Sequence, residues 1–254
     1  MKTYRICRVS FLLVPLAFLA ISISAWGQLP GGSQTGVNAA MLKLFEDFTS
    51  FTSKADLRVQ DKQTKEPMSM LVDFSMLDGQ VRMDLDMTTI RSKQLPPQTL
   101  ASLKAAGLEK VVTVLRPQKK SAIIAYPSAR GYVEMPLSPE ESADMARTYK
   151  IEKTKLGRET VGGQACDKTK VVLTADNGEK QEATVWYAPG LKNFPVQMQM
   201  DQRQMTVLMQ YRDVRFARPD PKQFEAPTGF TKHASNEQLM QSAMMKALGG
   251  AGAK

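Results

Sequence analysis

Two stretches of strict alternation meet at a single turn signal. Met68, Met70, Val72, Phe74 and Met76 alternate with Ser69, Leu71, Asp73, Ser75 and Leu77; beyond Asp78-Gly79, Val81, Met83, Leu85 and Met87 alternate with Arg82, Asp84, Asp86 and Thr88. A period of two sends successive side chains to opposite faces of a strand. Asp-Gly supplies the left-handed backbone that a two-residue hairpin turn requires. The segment therefore predicts an antiparallel hairpin with one apolar and one polar face, in a sheet covered on one side only. An all-helical chain, or a parallel α/β chain with continuous apolar strands, is excluded by the same pattern.

The remainder repeats this grammar. Asn38 caps a predicted helix to about Thr52, whose Met41, Leu44, Phe45, Phe48 and Phe51 recur at three- and four-residue steps. Pro96-Pro97 opens a short helix through Ala106, with Leu100 and Leu103 inward and Gly107 at its end. Strands are predicted at about 110–117, 120–127 and 130–137. Ser138-Pro139-Glu140-Glu141 then begins a surface helix to about Tyr149, with proline in the first turn and a capping-box glutamate. A run of hairpins follows: 150–161, 165–175, 180–188, 195–201 and 204–217, punctuated by Gly162-Gly163, Asp176-Asn177-Gly178, Pro189-Gly190 and Gln202-Arg203. The proline-rich stretch from Pro219 to Pro227 leaves the sheet. Ser235 caps a final helix with Leu239, Met240, Ala243, Met244, Ala247 and Leu248 in one stripe, ended by Gly249-Gly250. The count is about ten strands and three or four helices, with no linker long enough to divide two domains.

The N-terminus carries an export pattern. Lys2, Arg5 and Arg8 precede an apolar run from Val9 to about Ala25, and Ala25-Trp26-Gly27 offers a small-x-small cleavage site. Residues 1–27 are read as a signal peptide, the mature chain beginning at Gln28, and residues 28–37 as a flexible start. An uncleaved membrane anchor is the competing reading; the run is at the short limit for a span and contains Pro15. The expected location is the periplasm, with secretion as second choice. The whole chain has 254 residues and a net charge of +9; the leader supplies three positives and no acid, leaving +6 on the mature chain. So modest a surplus is compatible with contact to anionic lipid or with plain solubility. Cys166 is the one cysteine beyond the leader, so core packing rather than an internal disulfide stabilises the domain.

Catalytic machinery is not legible. His233 is the one histidine and lies in a polar segment after the last strand, while Cys166 is placed mid-strand. Histidine-dependent nucleophilic mechanisms would all have to draw on that single side chain, and one histidine with one cysteine does not make a typical zinc site. Gly31 to Gly36 resembles a phosphate loop in its glycines only. Asp84 and Asp86 sit on the polar strand face, where a solvated role outweighs acid–base chemistry. The basic residues Lys150, Lys153, Lys155 and Arg158 have no interleaved aromatics on which bases would stack. The expectation is a non-enzyme with no cofactor, no metal and no nucleic acid.

Methionine is the unusual ingredient: fifteen of the sixteen follow the initiator, many on the apolar side of predicted strands. Methionine adapts to irregular apolar shapes and suits surfaces that accept variable partners; the same stripe is equally consistent with ordinary core. Met70, Val72, Phe74, Met83, Leu85, Met87, Trp186, Met198 and Met200 are the candidate lining of a hydrophobic ligand site.

Several segments carry a family resemblance: GRETVGGQACDKTKV (157–171), TVWYAPGLKNFPVQMQM (184–200), DVRFARPDPKQFEAPTGFTK (213–232), RPQKKSAIIAYPSARGYVEMP (116–136) and Gly79 to Asp84. Together they resemble DUF4412-type periplasmic proteins, which are similar in fold to the LolA/LolB lipoprotein carriers. The resemblance implies an α+β, mainly β fold: a large curved antiparallel sheet, an incomplete barrel, with helices covering its concave side. It implies a half-barrel domain over 38–232 and a hydrophobic ligand held between sheet and helices. The function expected on this footing is a binding or carrier protein for an acyl chain, lipid or lipidated protein in a bacterial envelope. The alternative is an envelope interaction module with a solid core, docking on a protein partner through the C-terminal helix and tail (233–254), a segment for which the resemblance offers no place.

Overall fold

The computed structural model describes residues 39–251 apart from 94, 202 and 203. The leader, the mature start at Gln28, the 28–37 segment, the Asn38 cap and the Gln202-Arg203 turn lie outside the described residues. Twelve strands among the described residues form one sheet: β1 (Ser50–Asp61), β2 (Pro67–Leu77), β3 (Gln80–Asp86), β4 (Lys110–Arg116), β5 (Ser121–Tyr126), β6 (Gly131–Pro136), β7 (Tyr149–Val161), β8 (Gln164–Ala175), β9 (Lys180–Ala188), β10 (Phe194–Asp201), β11 (Met205–Arg215) and β12 (Thr231–His233). Their spatial order is β12-β6-β5-β4-β3-β2-β1-β11-β10-β9-β8-β7. Every pairing is antiparallel except β12 with β6, and β7 and β12 form two open edges. Four α-helices among the described residues accompany the sheet: α1 (Ala39–Lys43), α2 (Pro97–Ala105), α3 (Pro139–Ala146) and α4 (Asn236–Ala251). The mainly β, open-sheet architecture is the one expected.

The predicted hairpin is β2–β3, closed by Asp78 and Gly79 with φ of 49° and 78°, the pair of left-handed residues a tight hairpin turn demands. The predicted first helix is corrected: it ends at Lys43, and Phe51 belongs to β1. Ser, Thr and Phe from Phe48 onward favour extended backbone, and the Thr49 carbonyl accepts the Asp78 amide, tying this stretch to the hairpin. β1 consequently lies at the centre of the sheet, paired with β2 and β11. The capping box of α3 is present, with Ser138 Oγ accepting the Glu141 amide and Glu141 Oε2 accepting the Ser138 amide. Gly107 closes α2 at φ 70°, where a Cβ would lie 2.9 Å from the Ala129 nitrogen. α4 runs through Gly249-Gly250 to Ala251 rather than ending before them. Its first turn is capped by Ser235, whose Oγ accepts the Gln238 amide.

One further expectation is corrected on the outer face: the sheet is not covered on one side only. The proline-rich stretch leaves the ladder as expected, but residues 217–230 stay against the sheet and cross its outer face as a strap. Phe224 is fully buried against Val112, Val114, Ile123 and Ala125. Those four point away from Thr113, Leu115, Ala122 and Ile124, which face the helices, so β4–β6 is covered on both sides. Polar ties follow the strap along its length. Arg218 pairs with Asp78 at 2.6 Å, Arg82 donates to the Gln223 carbonyl at 2.7 Å, and Lys119 pairs with Glu225 at 2.8 Å. Arg130 donates to the Gly229 carbonyl at 3.0 Å. Arg116, only 3% exposed, donates to Glu134, to Ser121 at 2.8 Å and to Glu225 at 3.3 Å. A buried guanidinium is tolerable because its charge is met by carboxylates. The strap then turns the β6 edge as β12 and delivers α4 to the inner face.

Candidate functional site

The register of the ladder arranges the inner-face side chains in rows. Phe74 and Ser53 stand side by side, Val72, Ala55 and Tyr211 form the next row, and Met70, Leu57, Met209, Met198 and Val185 the next. Met68, Val59, Val207 and Met200 form the last complete row, with Met205 opposite Asp61 beyond it. On the other side Val72 pairs with Leu85 and Leu85 with Val111, while Phe74 pairs with Met83 and Met83 with Thr113. Period-two alternation on seven adjacent strands thus builds one continuous apolar surface.

That surface has two different ends. One is stopped by aromatics. Leu44 and Phe45, just after α1, sit on Phe51, Phe74, Phe194 and Tyr211, with ring centroids 5.3, 6.0, 5.6 and 5.5 Å from Phe45. Phe48 and Phe216 stack on each other at 5.5 Å beside this cluster. Phe51 and Phe194 have no exposure at all. Offset and edge-to-face contacts of this kind add to the area they bury. Towards the other end burial falls away: Met70 and Met198 are buried, but Val59, Met68, Leu85, Met87, Met200 and Met205 are only half-buried, packed against the core on one side and open on the other.

Polar groups on and near this surface are few and poorly matched. The Tyr211 hydroxyl is buried and donates to the Met209 sulfur at 2.7 Å, and burial pushes its pKa far upward. Ser53 Oγ is buried with no hydrogen-bond partner, and so is Tyr187 Oη. Burial, reinforced by the charges of Asp47 and Glu46, pushes the Tyr187 hydroxyl up to about 12, and the Lys153 ammonium lies 4.8 Å from its ring centroid. Nothing in this set pairs a nucleophile with a base. Among the described residues no group of three His, Cys, Asp or Glu side chains could hold a metal ion. Cys166 is buried in β8, which raises its thiol pKa.

Eight of the nine candidate lining residues fall on this inner face: Met70, Val72, Phe74, Met83 and Met198 in its buried part, and Leu85, Met87 and Met200 towards the half-buried end. Trp186 does not join them. It follows Val185, which pairs with Met198, and it pairs with Gln197 and Lys168, so it projects from the opposite face. There its indole donates to Glu159 at 2.7 Å and its ring lies 5.1 Å from the Lys168 ammonium. The Lys168 ammonium, followed by the indole, holds the Glu159 carboxyl below its usual range. The sequence Val185-Trp186-Tyr187-Ala188 is apolar throughout and contains no alternation from which a face could be assigned. Leu57 and Val59 went unrecognised with β1; Val207 and Met209 had a visible signal, the alternation of 205–211.

No family model matches the chain and no curated protein matches it in sequence, so membership of the DUF4412-type family is not established. Solved structures with a similar course of the chain share little sequence identity with it. The lipoprotein LppX of Mycobacterium tuberculosis is 12% identical, with a TM-score of 0.39 over 68% of this chain and 90% of that one. LprF of Mycobacterium bovis is 12% identical at a TM-score of 0.33, over 67% and 90%. A LolA superfamily protein of Nitrosomonas europaea is 12% identical at 0.32, over 74% and 96%. At TM-scores below 0.5 these likenesses carry no information on ligand or activity.

Proposed function

We propose that the protein is a carrier or binding protein for a hydrophobic ligand, an acyl chain, lipid or lipidated protein, held against the inner face of the sheet in a bacterial envelope. The observation that carries this reading is the gradient along the methionine rows. A sheet built only for stability would close both ends as tightly as the aromatic end; here the apolar surface continues past the buried core to half-buried Met68, Met87, Met200 and Met205. Flexible thioethers conform to chains of varying length and saturation without requiring one shape. The scarcity of paired polar groups suits a ligand that offers apolar surface rather than hydrogen bonds. The basic and apolar pattern of residues 1–25 supports export to the periplasm.

Native mass spectrometry of protein purified from its own envelope, followed by titration with a fluorescent fatty acid, tests the reading. A co-purifying lipid and saturable uptake are expected; an empty protein that takes up no probe would refute it.

A second reading has its own observation. Met244, Met245 and Leu248 on α4 are exposed by 36%, 72% and 77%, which suits an envelope protein partner docking on the C-terminal helix. Cross-linking in cells with and without residues 235–254 decides it, and partners unchanged by the truncation would remove it.

A further inference from the structure

Resting on the carrier reading, we propose that α4 is a displaceable plug: the inner face of β4–β6 is an extension of the ligand site, and α4 occupies it until ligand drives the helix off.

The surface beneath α4 is continuous with the methionine rows. From Phe74 the row passes through Met83, Thr113 and Ile124 to Val133, and from Val72 through Leu85 to Val111. Val133 lies under α4, packed with Leu239 and Ala243, and Val111 and Ile124 pack against the same cluster. Without the helix these apolar side chains would extend the floor of the site on the same face of the same sheet.

α4 is attached along one stripe only, Leu239, Met240, Ala243 and Ala247, and is bare on its other faces. Leu239 and Ala243 are buried, Met240 and Ala247 are half-buried, and Met244, Met245 and Leu248 remain exposed. Leu239 sits over Gly131, where a Cβ would come within 3.2 Å of the Leu239 Cγ. No salt bridge among the described residues joins α4 to the sheet. In its first turn the Asn236 side chain hydrogen-bonds the Tyr126 hydroxyl of β5, while its Oδ1 is buried with no partner, a cost that undocking relieves.

The strap that leads to α4 is built the opposite way. Phe224 is fully buried and Arg82, Arg116, Lys119, Arg130 and Arg218 fasten the segment from one end to the other. β12 is hydrogen-bonded into the sheet. A firmly held tether ending in a lightly held helix lets α4 swing about residues 234–235 while the sheet stays intact. An apolar ligand competes with α4 for the same surface, so the helix sets a threshold that weak or short ligands do not pass.

The test locks the helix. Gly131→Cys with Leu239→Cys in a Cys166→Ala background of the mature chain joins α4 to β6 on oxidation. Binding of a fluorescent long-chain fatty acid is expected to fall at least tenfold in affinity or association rate when the pair is oxidised and to return on reduction; equal binding in both states overturns the proposal. Should the cysteine variant fail to fold, truncation after Ser235 replaces it: association at least tenfold faster supports the plug, and unchanged kinetics overturns it. Amide exchange on the wild-type protein needs no ligand. Exchange in α4 at least a hundredfold faster than in β5 is expected, and equal protection overturns the plug. If the wild type binds no fatty acid, the carrier reading falls, and the exchange measurement alone decides whether α4 is detachable.

Discussion

The two ends of the inner face are made from the same strands and differ in what fills them. At one end Phe45, Phe51, Phe74, Phe194 and Tyr211 interlock around the turn after α1 and exclude solvent. At the other, Met68, Met87, Met200 and Met205 present the same apolar chemistry with part of each side chain uncovered. Aromatic rings are rigid and bury large areas, so they fix one packing; methionine has three rotatable bonds beyond the backbone and fixes little. Stability is concentrated at the aromatic end, and adaptability at the methionine end.

Four substitutions test that division, beginning with the largest effect. Phe194→Ala opens a void in the aromatic stopper and is expected to cost about 3–5 kcal/mol in denaturant unfolding. A cost below about 1 kcal/mol would mean that the stopper is not what holds the fold. Arg116→Ala removes the buried cation under the strap and is expected to cost about 2 kcal/mol. Its pH dependence has a definite sign. The Arg116 hydrogen bond, followed by that of Lys232, holds Glu134 below its ordinary value of 4.5. The stabilisation is therefore fully present above about that pH and is lost as pH falls through the lowered folded value. The wild type loses this part of its stability on acidification, and the variant has less of it to lose.

Met200→Ala acts at the open end. It is expected to cost only about 1 kcal/mol in stability, because the side chain is half-buried, yet to weaken fatty-acid binding roughly tenfold. Equal binding with lowered stability would make the methionine rows ordinary core. Tyr187→Phe is expected to change stability by less than about 0.5 kcal/mol at neutral pH, since the lost hydroxyl has no partner. Its folded value is raised from 10.0 to about 12. The contribution of the neutral phenol is present below pH 10 and disappears as pH rises through 12, so the variant is expected to outlast the wild type in alkaline unfolding over that window.

The parts of the fold that were legible are those where local chemistry repeats itself. Asp78-Gly79 with its flanking alternation, the Ser138–Glu141 capping box and most hairpins of the second half were readable because neighbouring residues alone dictate them. β1 was not: small Ser53 and Ala55 on its inner face weaken the alternation, and Phe45, Phe48 and Phe51 fall by chance on a helical spacing. The same holds for the site. The phase of β2, β3 and β10 is written in their polar positions, whereas the apolar run at 185–188 concealed the face on which Trp186 stands. The seat of the strap was not legible, because prolines indicate that a segment cannot continue a ladder but say nothing of the surface on which it rests.

By itself the sequence determined the class of fold, the hairpin register and the oily side of most strands, since alternation and turn chemistry act between neighbours in the chain. Only the tertiary structure decided that the outer face of β4–β6 is covered, that one end of the inner face is sealed and the other left open, and that α4 is seated by a single stripe. Those outcomes depend on residues more than a hundred positions apart, such as Arg82 with Gln223 or Lys119 with Glu225, and no local pattern encodes which distant surface a segment will meet.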